Sequence, residues 1–161
     1  MPKIQTAELW DRYGDLLTCA DPIFLTFGRK RMFWGEVTTL KLFEDNSLVR
    51  KHLGTNGMGK ILVIDGGGSL RCALVGDQLA ALAVLNGWEG IIVNGCIRDS
   101  YQINQMEVGI MAIATCPVKS IKQNSGELDV PVKFAGLKFT PGHFLYADDD
   151  GLLVSDQKLI S

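Results

Sequence analysis

A chain of 161 residues has room for one hydrophobic core. Its formal charge is −2 and no basic run exceeds Arg29-Lys30-Arg31, so direct nucleic-acid binding, which needs a concentrated cationic surface, is not expected. Eighteen glycines spread among recurrent apolar residues argue against disorder and for short elements joined by tight turns.

At the start of the chain, Thr6 is placed to cap a helical turn carrying Leu9 and Trp10, with Asp11 or Asp15 opening a second short piece. Pro22 ends it, and Ile23-Phe24-Leu25 reads as a short buried stretch. Partial alternation from Met32 to Phe43 predicts a strand. Glu44-Asp45-Asn46-Ser47 is a turn, and Leu48-Val49 opens either a strand or a short helix. Ile61-Leu62-Val63-Ile64 is a continuous apolar strand closed by Asp65-Gly66-Gly67-Gly68, whereas Leu70 to Leu74 is too short to assign. After Gly76-Asp77, the spacing of Leu79, Ala80, Leu82, Ala83 and Leu85 marks a helix ending near Asn86-Gly87. Ile91-Ile92-Val93 is a second buried strand, and this strand-helix-strand order predicts an α/β centre with adjacent strands.

The second half is richer in strands. Met111 to Thr115 reads as one, stopped by Pro117; Val132-Lys133-Phe134 and Leu137-Lys138-Phe139 form a hairpin around Ala135-Gly136. Phe144-Leu145-Tyr146 and Leu152-Leu153-Val154 flank the acidic turn Asp148-Asp149-Asp150-Gly151. The expectation is one α/β domain over residues 1–161, without internal repeats. No apolar stretch approaches a membrane span and no secretory leader is evident, so a cytoplasmic protein is expected.

Several features carry less chemistry than they suggest. Gly54 to Lys60 has the spacing of a phosphate-binding loop, but Ile61 stands where a magnesium-holding hydroxyl is needed, and the run opens a strand rather than a helix. Gly66-Gly67-Gly68 lacks the third glycine of a dinucleotide fingerprint, since position 71 is Arg71; these glycines read as allowing backbone crowding. Cys19, Cys72, Cys96 and Cys116 have no metal-like spacing and read as small buried hydrophobes, and Trp10, Trp34 and Trp88 as packing residues.

Two segments do assemble a chemistry. Gly76-Asp77-Gln78-Leu79 begins the best helix, where unpaired first-turn amides and the helix dipole favour a carboxylate or enolate oxygen. The competing reading is that Asp77 is simply an N-cap. Arg98-Asp99 follows the second buried strand, at the end where ligands of open α/β sheets collect. Arg98 offers a planar fork for a carboxylate, and Asp99 a hard oxygen ligand for magnesium or manganese. Oxyanion donors, a carboxylate clamp and a metal ligand are what a small 2-oxo acid requires.

The runs Asp65-Gly66-Gly67-Gly68-Ser69-Leu70-Arg71, Gly76-Asp77, Asn86-Gly87-Trp88-Glu89-Gly90 and Asn94-Gly95-Cys96-Ile97-Arg98-Asp99 together resemble the RraA-like family. Phe43-Glu44-Asp45-Asn46 and His143-Phe144-Leu145-Tyr146-Ala147-Asp148 extend the resemblance over nearly the whole chain. That family holds class II 4-hydroxy-4-methyl-2-oxoglutarate aldolases and the regulator of ribonuclease activity A. The resemblance implies a swivelling β/β/α fold, a homotrimer, and a divalent metal cofactor, Mg2+ or Mn2+. It also implies that Gly76, Asp77, Gln78 and Leu79 bind substrate through backbone amides, that Arg98 binds the pyruvyl part, that Asp99 holds the metal and that Asp77 orients water there. Some members decarboxylate oxaloacetate, because both reactions pass through the enolate of pyruvate.

One position departs from the aldolase pattern, which continues from Arg-Asp through two residues to Glu or Asp. Here Ser100-Tyr101 is followed by Gln102, which cannot accept a proton comparably. The expected function is a metal-dependent lyase acting on 4-hydroxy-4-methyl-2-oxoglutarate, oxaloacetate or both. The alternative is a non-catalytic inhibitor of an RNA-degradation endonuclease, with a ribonuclease as partner.

Overall fold

The computed structural model describes residues 4–160. Helices are α1 (Thr6–Tyr13), α2 (Ser47–Leu53), α3 (Asp77–Leu85) and α4 (Ser100–Ile103). Strands are β1 (Thr18–Cys19), β2 (Leu25–Phe27), β3 (Phe33–Lys41), β4 (Lys60–Asp65), β5 (Ala73–Val75), β6 (Gly90–Ile97), β7 (Ile110–Thr115), β8 (Glu127–Leu128), β9 (Val132–Phe134), β10 (Leu137–Phe139), β11 (Phe144–Asp148) and β12 (Gly151–Ser155).

The main sheet runs β1-β12-β11-β3-β4-β6-β7-β2, with β5 paired to β6 and β8 to β3. Its centre is parallel: β3 with β4, β4 with β6, and β6 with both β5 and β7. The expected strand-helix-strand unit is therefore present as β4, α3 and β6, with β4 and β6 adjacent.

Alternation along β4 sets the layers. Leu62 and Ile64 pack with Leu79, Ala80 and Ala83 of α3 and Val49 and Leu53 of α2. Ile61 and Val63 face the other side, against Val132, Leu137 and Phe139 of the β9–β10 hairpin and Leu145 and Val154 of the outer strands. A helical layer, a mixed sheet and a hairpin layer thus make one domain, α/β at its centre and strand-rich toward its C-terminus. The hairpin turns at Ala135 and Gly136, with φ of 54° and 73°, the double left-handed geometry a two-residue connection needs.

Local expectations fail where tertiary partners intervene. Thr6 does not cap α1: Gln5 holds the N-cap position, and the Thr6 amide and hydroxyl both donate to the Asp148 carboxylate at 2.7 Å. The Ile23–Leu25 stretch is largely open, with Ile23 and Leu25 exposed, because β2 is the edge of the sheet. Leu48-Val49 resolves as helix, since its apolar side lies on the parallel sheet. Trp10 and Cys19 are exposed rather than buried, unlike Trp88, Cys72 and Cys96.

Candidate functional site

Parallel pairing places the chain segments that follow β5, β6 and β7 at one end of the sheet, together with the turn after β3. A cavity of about 130 Å³ opens there, lined by residues from four chain segments. Gly76, Asp77, Gln78 and Leu79 come from the start of α3, and Arg98 and Asp99 from the end of β6. All six residues singled out from the sequence meet in this one place.

Their contacts refine the expected roles. Gly76, not Asp77, is the N-cap of α3. The Asp77 amide donates to Asp99 Oδ2 at 3.1 Å, and the Gln78 amide donates to Asp77 Oδ1 at 2.9 Å. Two first-turn amides are thus engaged by carboxylates, and that of Ala80 donates to the Gly76 carbonyl. The Leu79 amide is the first-turn donor without a protein acceptor among the described residues. The close approach at Gly76 is made by Asp99 itself, whose Oδ2 lies 2.8 Å from where a Cβ would stand. Asp99 has φ of 58°, a left-handed conformation uncommon outside glycine and Asn/Asp positions. Arg98 is anchored by a bond from Nη1 to the Pro117 carbonyl at 3.4 Å, and its amide donates to Val75 of β5 at 2.9 Å.

Sequence reasoning missed the facing wall. Asn46 and Arg50, from the start of α2, and Lys119, Ser120 and Lys122, from the segment after β7, also line the cavity. Arg50, Arg98, Lys119 and Lys122 make no ion pair among the described residues. The cavity therefore carries four cations against the carboxylates of Asp77 and Asp99, a balance that attracts anions. Lys119 could have been found by the same strand-end rule that located Arg98, since it follows β7. Arg50 and Lys122 carry no such signal. Gln102 lies exposed on α4 and does not line the cavity.

The glycine run after β4 does crowd backbone, as expected. A Cβ at Gly66 would stand 2.5 Å from Leu74 Cδ1 and 2.8 Å from the Asn94 carbonyl. His52 is half-buried against Trp88, with ring centroids 5.5 Å apart, and burial lowers its pKa. Neither it nor His143 lines the cavity.

Among the described residues, no group of three or more His, Cys, Asp or Glu side chains is arranged to hold a metal ion. A hard cation can still be held by few protein ligands. Mg2+ typically keeps several waters and binds through one or two carboxylates plus substrate oxygens. Asp99, with one oxygen fixed by the Asp77 amide and Asp77 beside it, fits that sparse, oxygen-only mode. No helix of the described residues is long and apolar enough to cross a membrane.

The family model described as RraA-like, Aldolase/RraA, matches residues 6–154. A protein of Aromatoleum aromaticum named "Putative 4-hydroxy-4-methyl-2-oxoglutarate aldolase" is 54% identical over 158 residues, covering 98% of this chain and 99% of that protein. A protein of the same name from Dechloromonas aromatica is 52% identical, covering 96% and 98%. Among solved structures, the RNA-processing inhibitor RraA from Thermus thermophilis superposes with a TM-score of 0.94 at 42% identity, covering 99% of this chain and 97% of that one. A Geobacillus kaustophilus structure described as an S-adenosylmethionine:2-dimethylmenaquinone methyltransferase gives 0.95 at 47% identity, covering 97% of each chain.

Proposed function

The chain belongs to the RraA-like family, and from that premise we propose that it is a divalent-metal-dependent carbon–carbon lyase that releases pyruvate from a 2-oxo acid. The substrates proposed are oxaloacetate and 4-hydroxy-4-methyl-2-oxoglutarate. One observation carries this reading: Arg98, Asp99 and the Gly76–Leu79 turn converge on one small cationic cavity, with Asp99 Oδ2 tied to the Asp77 amide at 3.1 Å.

In the proposed reaction Arg98 takes the C1 carboxylate in its planar fork, which fixes the 2-oxo acid relative to the wall. The Leu79 amide and the N-terminal end of α3 provide positive potential for the 2-oxo oxygen. Asp99 holds the cation, which when bound supplies the charge that favours the enolate form. For oxaloacetate, the C3–C4 bond breaks, its electron pair stays on C3 as the pyruvate enolate, and carbon dioxide leaves. Protonation at C3 completes pyruvate. For a 4-hydroxy acid the hydroxyl must also lose a proton, and the proposal gives that role to Asp77, a carboxylate lining the cavity. With Gln102 outside the lining, decarboxylation, which needs no such base, is the less demanding reaction for this chain.

The test is pyruvate release from both substrates with Mg2+ or Mn2+ and with chelator, alongside Asp99→Ala. Metal-dependent release, lost in Asp99→Ala while the fold persists, is the expected result. Release indifferent to both chelator and substitution sinks the lyase reading.

A second reading has its own support. Similarity to the Thermus RNA-processing inhibitor, over nearly the full chain, favours a protein that inhibits an RNA-degradation endonuclease through protein contacts. An absence of effect on a purified endonuclease at micromolar protein would count against it. In either role we propose a homotrimer, as in the family resemblance; light scattering should return three times the 17.6 kDa chain mass.

A further inference from the structure

We propose that the groove between α1 and β12 is a second ligand site, one that takes a small amphipathic primary amine. The ammonium group would meet the Asp150 carboxylate, and the apolar body would run toward Trp10. This groove stands apart from the lyase cavity. Ala147, just before the β11–β12 turn, pairs with Phe33 at the start of β3, whereas the turn that reaches the cavity follows the end of β3.

Shape is the first argument. The groove has a volume of about 340 Å³ and is lined by Ala7 and Trp10 of α1, Cys19 of β1, Leu152 and Leu153 of β12, and Asp150 of the turn. The two leucines are buried beneath it, while Trp10 is 46% exposed and Cys19 is exposed. Contiguous apolar surface open to water favours an apolar occupant. Asp150 is the one charged side chain of the lining among the described residues.

Order is the second argument. The Thr6 amide and hydroxyl both donate to the Asp148 carboxylate at 2.7 Å, which ties the start of α1 to the turn that carries Asp150. The Asp150 amide donates to Asp148 Oδ1 at 2.9 Å, so the turn itself is fixed. At the other end of α1 the Trp10 indole is seated against Gly14, where a Cβ would stand 3.5 Å from Cε2 of the ring. Walls held in place beforehand lower the entropic cost of binding.

Charge is the third argument, and it selects the occupant. Of the three acids in the turn, Asp148 is engaged by Thr6, and Asp149 by Arg31 at 2.7 Å. Asp150 has neither an ion pair nor a side-chain hydrogen bond among the described residues. It lines both the apolar groove and the polar groove beside it, which Arg31, Asp148 and Asp149 also line, so it marks the polar end. Trp10 is shared instead with the groove along residues 11–16, and marks the other end. A free carboxylate at one end of an apolar trough complements a cation with an apolar tail, and repels an anion of the same shape.

Hexylamine, hexan-1-ol and hexanoate are matched in length and differ in charge, so calorimetric titration of the full chain with each separates the possibilities. Hexylamine should bind about fivefold more tightly than hexan-1-ol, and hexanoate more weakly than either. Asp150→Asn should bring hexylamine to the hexan-1-ol value and hold hexan-1-ol itself within about twofold. Trp10→Ala should weaken both by about tenfold. If Trp10→Ala does not fold, Ala7→Arg, at an exposed helix position, should weaken hexylamine more than hexan-1-ol. Equal affinity for all three ligands, binding of none, or a charge preference that survives Asp150→Asn overturns the site. Binding of tetralysine without binding of hexylamine also overturns it, and would make the groove a peptide site. A changed assembly mass in Trp10→Ala overturns it as well, because the groove would then be an interface between copies.

Discussion

Gly76 leaves the space that Asp99 needs: a Cβ on residue 76 would stand 2.8 Å from Asp99 Oδ2, the oxygen that accepts the Asp77 amide. The Gly76 backbone, at φ −121° and ψ −168°, is one that any residue adopts, so the glycine is required by the neighbouring carboxylate and not by its own torsions. Gly76→Ala should therefore push the Asp99 side chain aside without unfolding the chain. The expected outcome is about tenfold weaker Mn2+ binding, followed by paramagnetic resonance of free Mn2+, with a melting temperature within a few degrees of the native value. Unchanged Mn2+ affinity would remove Asp99 from the proposed metal role.

Arg98 holds its place through its amide on Val75 and its guanidinium on Pro117. Arg98→Lys keeps the charge but loses the planar fork, so it separates charge from geometry. The loss in kcat/KM for oxaloacetate should be about a hundredfold, or about 2.7 kcal/mol, carried by both KM and kcat. A lysine variant with native kinetics would show that a point charge is enough and that the bidentate clamp is not used.

How far these features were legible beforehand follows from what fixes each. The six residues from the start of α3 and the end of β6 were readable because each stands after a predicted strand or at a predicted helix start, where backbone geometry alone sets position. Arg50 and Lys122 were not, since the segments that carry them are brought together by Asp45, which accepts the amides of Gln123 and Ser125, 78 and 80 residues away. Thr6 misled for the same reason: its cap-like chemistry was spent on Asp148, 142 residues distant. The short β5 was unassignable from sequence because its register is imposed by β6.

Gly66 directly follows β4 in a run that mimics a nucleotide motif, and its neighbours give it a steric role. A methyl there meets Leu74 and the Asn94 carbonyl of β6 at once, and backbone cannot yield as a side chain can. Gly66→Ala should cost about 1–3 kcal/mol in urea unfolding, as overpacking of a tight interior does. Gly59→Ala is a useful contrast: nothing lies within 4 Å of its would-be Cβ, so its cost should come from the positive φ of 74° alone, about 1 kcal/mol. Equal costs at both positions would contradict the crowding argument.

Asp45, buried and accepting hydrogen bonds from Ser47, Gln123 and Ser125, sets an acid limit on stability. Burial alone would raise its pKa, but the hydrogen bonds from Ser47, Ser125 and Gln123 outweigh that and hold the carboxyl far below the usual aspartate range. The unfolded chain therefore binds this proton more readily than the folded one. The resulting stabilisation is complete above the ordinary aspartate value and is lost progressively as pH falls below it. Urea midpoints measured at pH 7 and again near pH 3 should differ more for the native protein than for Asp45→Asn, whose amide does not titrate. The variant should be less stable at pH 7, with the gap narrowing in acid. A gap that stays constant between the two pH values would mean that the Asp45 carboxylate is not what the 119–125 segment is folded upon.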